Sequence, residues 1–129
     1  MGINIRERII KREIYLDSRD NPFDTYEQAY DSECRYLMEE IMDKEEEVTN
    51  DIKKYYCAYE IESREELDNF LRGCEYYGYV GYEMPKAQRD SIKEYPCKIY
   101  KENGGDGIIL TQEEMLAKIE EFKNAILGQ

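Results

Sequence analysis

The chain has 129 residues, 41% hydrophobic and 37% charged, with no histidine and a net charge of −12. That length suits one hydrophobic core, no apolar run approaches the roughly 18 residues of a membrane span, and residues 1–11 are too charged for a secretory leader. The anionic balance repels nucleic acid and anionic membranes and attracts basic surfaces, so the expectation is a cytoplasmic protein, one domain over residues 1–129, that binds neither nucleic acid nor membrane.

Ile10, Ile14 and Leu16 stand at even spacing between charges, and the stretch from Ile5 to Leu16 is read as a strand. Ser18 to Pro22 supplies turn chemistry. Asp17, Asp20 and Asp24 lack the alternate-position acids and central glycine of a calcium loop, which leaves an ordinary turn. Thr25, with Gln28 three residues on, is a capping box and opens a long helix. Its core stripe is read as Tyr26, Tyr30, Cys34, Leu37, Ile41 and Val48. On that wheel Glu39, Asp43 and Glu46 point away from the core, flanked by Asp31, Glu40 and Glu47. Lys44 falls on the core side, a sign that the helix ends or bends there.

Tyr55, Cys57, Tyr59 and Ile61 alternate with Tyr56, Ala58, Glu60 and Glu62, the period of a half-buried strand. Ser63 and Glu66 form a second capping box for a helix that buries Leu67, Phe70, Leu71 and Cys74 and stops at Gly78. Tyr79 to Met84 reads as a strand closed by Pro85, and the polar residues after it hold a helical turn before Pro96. Cys97–Lys101 and Gly107–Leu110 form a hairpin about a glycine-rich turn. Thr111 and Glu114 start a last helix with Met115, Leu116, Ile119, Phe122 and Ile126 on its inner face and Gly128 at its end. The result is an α+β domain of three helices on a mostly antiparallel sheet, in the order β-α-β-α-β-β-β-α.

Catalytic chemistry finds little footing in these residues. General base catalysis at neutral pH usually falls to histidine, which is absent. Cys34, Cys57, Cys74 and Cys97 stand singly, without the paired spacing of a zinc site; the first three fall on apolar faces, and Cys97, beside Lys98, is the best candidate for a reactive thiol. Asn103 to Gly107 lacks the lysine and hydroxyl of a phosphate loop. No catalytic residue, metal or cofactor is expected.

Two features point instead to binding. Residues 24–51 hold eleven acids against Arg35 and Lys44, nine units of the net −12. On a helix rising about 1.5 Å per residue that is roughly one charge per 4 Å, near the one per about 3.4 Å of a DNA strand. Asp31, Glu39, Glu40, Asp43, Glu46 and Glu47 are therefore the candidate contacts for a basic partner. The second feature is thirteen tyrosines with no tryptophan; Tyr76, Tyr77, Tyr79 and Tyr82 surround Gly78 and Gly81, where neighbouring side chains diverge, and tyrosine suits binding surfaces.

The run Glu39-Glu40-Ile41-Met42-Asp43-Lys44-Glu45-Glu46-Glu47, the small size, and the opening Ile14-Tyr15-Leu16-Asp17 through Phe23-Asp24-Thr25, Ala29 and Glu33 resemble the small acidic anti-CRISPR and anti-restriction inhibitors of phages and mobile elements. The likeness covers the first third of the chain. It implies a non-enzymatic phage protein that occupies the nucleic-acid-binding or PAM-reading site of a defence nuclease. The near-neutral, arginine-bearing start departs from a uniform DNA mimic. The alternative is a sponge for a nucleotide-like signal, its base stacked on the tyrosine cluster and its phosphates held by cations such as Arg64, Arg72, Arg89 or Lys93.

Overall fold

A computed structural model describes residues 13–47, 56–102 and 108–128. The fold is α+β: β1 (Tyr15–Leu16), β2 (Pro22–Phe23), α1 (Tyr26–Asp43), β3 (Glu46–Glu47), β4 (Tyr56–Ile61), α2 (Arg64–Tyr77), α3 (Lys86–Asp90), β5 (Cys97–Glu102), β6 (Leu110–Thr111) and α4 (Gln112–Ile126). β3, β4, β5 and β6 form an antiparallel sheet in that order, and β1 and β2 a separate two-stranded hairpin.

The expected opening strand is thus short within the described residues, and Ile10 lies outside them. Ile14 and Leu16 are exposed. What ties the hairpin to α1 is Asp17. It accepts from the backbone N–H groups of Arg19 and Asn21, the Asn21 amide, the Ser32 hydroxyl and the Tyr36 phenol. A buried carboxylate is tolerated only when such donors replace water. Burial alone would push this carboxyl up, but the donors from Asn21, Ser32 and Tyr36 outweigh it and hold it well below the usual carboxylate range.

Thr25 caps α1 as a complete capping box: its hydroxyl accepts from the Gln28 N–H, and the Gln28 side chain accepts from the Thr25 N–H. Cys34, Met38 and Ile41 are buried and Leu37 packs on the core, whereas Tyr26 stays exposed and Val48 lies outside the described residues. α2 crosses α1 closely, with Leu67, Phe70 and Cys74 inward. The Ser63 hydroxyl accepts from the Glu66 N–H at its start, and Gly78, at φ 87°, ends it by donating to the Cys74 carbonyl.

β4 is the central strand, and its burial departs from simple alternation. Cys57, Tyr59 and Ile61 are buried as expected, but so are Tyr56 and Ala58, leaving Glu60 as its exposed residue. β3 and β5 flank the strand, α1 and α2 pack on it, and Lys118 of the last helix lies over the Tyr56 ring. Tyr79–Met84 is not a strand. Gly78 and Gly81 both hold positive φ, and the chain there turns instead of extending into a ladder. α3 supplies the expected helical turn, which raises the helix count to four. The β5–β6 pairing sets Ile99 opposite Thr111 and Tyr100 opposite Leu110; the glycine-rich turn lies outside the described residues.

Thr111 and Glu114 form a full capping box at the start of α4. Of its expected inner face only Met115 is buried. Leu116, Ile119, Phe122 and Ile126 share the stripe that periodicity assigns them, yet that stripe faces outward.

Candidate partner-binding surface

The six acids expected on one outward stripe of α1 are divided. Asp31 is hydrogen-bonded and ion-paired to Arg72 of α2. The same guanidinium reaches Glu27 at 3.6 Å and lies 4.6 Å from the Tyr30 ring centre. Glu39 is paired with Arg35 at 3.3 Å, one helical turn before it. Glu40 and Asp43 are exposed, and neither is in an ion pair among the described residues. Glu46 and Glu47 are not helical at all. The helix closes when the N–H groups of Lys44 and Glu45 bond to the carbonyls of Ile41 and Met42, and the chain passes into β3 beside Ala58 and Cys57 of β4.

The carboxylates that do converge come from three elements. A groove of about 400 Å³ has Leu37, Ile41 and Ala58 among its lining, with Glu40 of α1, Glu60 of β4, Glu62 after it and Glu66 of α2 around them. Lys44 and Lys98 also line it, Lys98 standing opposite Glu60 across the β4–β5 ladder. Glu60 and Glu62 were legible as the outward positions of an alternating strand, but only the tertiary fold brings them to Glu40. The groove lies near the C-terminal end of α1, whose unpaired carbonyls carry partial negative charge. Acids there work against the helix dipole, and no basic residue offsets it within the last turn. The helix end and the four glutamates are both negative there, with Lys44 and Lys98 beside them.

The tyrosines form a second feature. Tyr77 and Tyr79 rings lie 4.9 Å apart and Tyr79 and Tyr82 5.6 Å apart, and Tyr82 continues inward to Tyr59 and Phe70. The ladder runs from solvent to core. Its inner end is fixed by a bond between the Tyr82 and Tyr59 hydroxyls at 3.0 Å and by the Tyr59 phenol donating to Glu45 at 2.9 Å. Burial, then the Tyr82 and Glu45 contacts, push the Tyr59 phenol far up. Tyr76 is exposed on the same helix end. Tyr79 and Tyr82 line a cavity of about 540 Å³ with Arg72 and Arg89, bringing together part of the tyrosine cluster and two of the expected cations. Both guanidiniums are already engaged, Arg72 by Asp31 and Arg89 by Asp68 at 2.7 Å.

No known protein family, curated protein or solved structure matches this chain.

Burial raises the thiols of Cys34 and Cys97 to about 11 and that of Cys74 to about 12. At neutral pH all three stay protonated, Cys97 included, so none is a ready nucleophile. No cluster of three or more metal-ligating side chains occurs among the described residues, and no described helix is long and apolar enough to cross a membrane.

Proposed function

We propose that this chain is a non-enzymatic inhibitor of the anti-CRISPR or anti-restriction kind, which blocks the basic nucleic-acid-binding site of a defence nuclease. The observation that carries the reading is the convergence of Glu40, Glu60, Glu62 and Glu66 on one groove at the negative end of α1. Lysine and arginine side chains that normally grip phosphates would enter it, and their partner's DNA would be displaced. The contact set is narrower than a helix-long DNA mimic, since Asp31 and Glu39 spend their charge on Arg72 and Arg35.

The test is competition: purified RNA-guided and restriction nucleases are mixed with labelled target DNA and increasing amounts of the protein. DNA release by the wild type, lost in a Glu40→Lys, Glu60→Lys, Glu62→Lys triple variant, is the expected result. Equal release by the triple variant overturns the groove as the contact.

A second reading rests on the cavity that joins Tyr79, Tyr82, Arg72 and Arg89. It would take a planar, nucleotide-like ligand stacked on Tyr79, provided the ligand displaces Asp31 and Asp68 from the two guanidiniums. Heat release of such a molecule from the native protein, absent in Tyr82→Ala, supports this reading; an empty extract refutes it.

A further inference from the structure

α4 leaves its apolar stripe in solvent. Leu116, Ile119, Phe122 and Ile126 are 60, 51, 56 and 84% exposed, and Leu127 beyond them is 60% exposed. Their three- and four-residue steps keep the first four on one face. Five side chains, each showing over half of a surface on the order of 200 Å², offer about 500–600 Å² of apolar area. That reaches the upper end of what a monomer ordinarily exposes, roughly 300–600 Å², and approaches the roughly 800 Å² per partner of a stable interface.

We propose that this face is the interface of a two-fold dimer in which α4 packs antiparallel against α4 of a second copy. The stripe is self-complementary in that sense. Centred near Glu121, an antiparallel pair sets Leu116 of one chain against Ile126 of the other, and Ile119 beside Phe122. The flanking charges agree, because Glu120 of each chain comes to lie next to Lys123 of its partner. The antiparallel helix dipoles also attract. A closed, isologous contact of this kind uses the same patch on both chains and leaves no open end. The contact uses α4 alone, so the acids of α1 take no part in it.

Sedimentation velocity of the full chain over a concentration series up to about 100 µM is the direct experiment. A dimer whose dissociation constant rises at least about tenfold in Ile119→Glu, Phe122→Glu is the expected result. Both positions are exposed, so the variant keeps its fold, checked by its circular dichroism. Added salt tightens the wild-type dimer by screening the net charge. An equimolar mixture of the single variants Leu116→Cys and Ile126→Cys yields the mixed 116–126 disulfide-linked dimer under mild oxidation only if the helices run antiparallel. A wild-type monomer throughout the series, whether its face is covered by the chain's own first residues or reserved for a different protein, overturns the proposal. So does a dimer indifferent to the double substitution.

Discussion

Gly73 packs against the backbone of Cys34 so closely that a Cβ placed on it would stand 2.7 Å from the Cys34 carbonyl carbon and 3.0 Å from the Met38 Cβ. Backbone atoms at a helix crossing cannot step aside for a methyl group. The approach sets the distance between α1 and α2, and with it the placement of Arg72, one residue before Gly73, against Asp31.

Gly73→Ala is accordingly expected to destabilise the fold even though alanine favours helices. The overpacking costs about 1–3 kcal/mol, against a propensity gain of at most about 1 kcal/mol. A urea titration followed by circular dichroism should give a lower midpoint; a raised midpoint would show that the two helices can separate freely.

Acid sensitivity should centre on Asp17. Its folded carboxyl lies below the unfolded value of 3.8, so its stabilising effect is full above that value and is lost as the pH falls toward the folded value. Asp90, held at about 2 by Lys86 first and Arg64 next, acts in the same direction and the same range. Asp17→Asn should be less stable at pH 7 and lose less stability between pH 4 and 2 than the wild type. Parallel stability curves for the two proteins would refute the assignment.

The three caps are separable. Thr25→Ala and Thr111→Ala each remove a hydroxyl acceptor from a complete capping box, and each should cost about 1 kcal/mol. Ser63→Ala should cost a similar amount by removing the acceptor of the Glu66 N–H. Thermal melts of the three variants check this, and restoring serine at position 25 should recover most of the loss.

Partner binding should distinguish the acids by their pairing. Asp31→Asn and Glu39→Gln alter carboxylates already held by arginine and should leave nuclease competition nearly unchanged, whereas Glu40→Lys with Asp43→Lys should weaken it by about tenfold or more and flatten its salt dependence. The reverse ranking would move the contact to the middle of α1.

The buried thiols should react slowly. With Cys34, Cys74 and Cys97 raised to about 11 to 12, a thiol reagent at pH 7.5 should label the native protein far more slowly than the urea-unfolded chain, beginning at the partly exposed Cys97. Immediate labelling of Cys34 or Cys74 would mean that the core opens readily.

Local chemistry in the sequence foretold much of this architecture. Thr25 with Gln28, Thr111 with Glu114, and Gly78 each mark a helix end by a bond made within a few residues, so the mark is present before any tertiary contact. The alternation through Ile61 marks β4 in the same way. Periodicity alone could not say what lies opposite a face: Leu116 to Ile126 form a true stripe on α4 that meets solvent, and Tyr56 and Ala58 sit on the nominally outer side of β4 yet are covered. Tyr79–Met84 misled because aromatic residues favour strands, while Gly78 and Gly81 impose left-handed turns. The acidic groove was partly visible in Glu40. Its Glu60, Glu62 and Glu66 walls, and the pairing of Asp31 with Arg72 outside it, depend on how α1, β4 and α2 meet, which no window of sequence contains.

The hydroxyl contact from Tyr59 to Glu45 joins the centre of the molecule to the end of its acidic helix. Because the chain contains thirteen tyrosines and no tryptophan, its near-ultraviolet circular dichroism and emission arise chiefly from phenol rings, and the Tyr59–Tyr82 couple is hydrogen-bonded in the core. Any displacement of Glu45 would relax that couple and change the spectrum, an unlabelled optical readout of this contact.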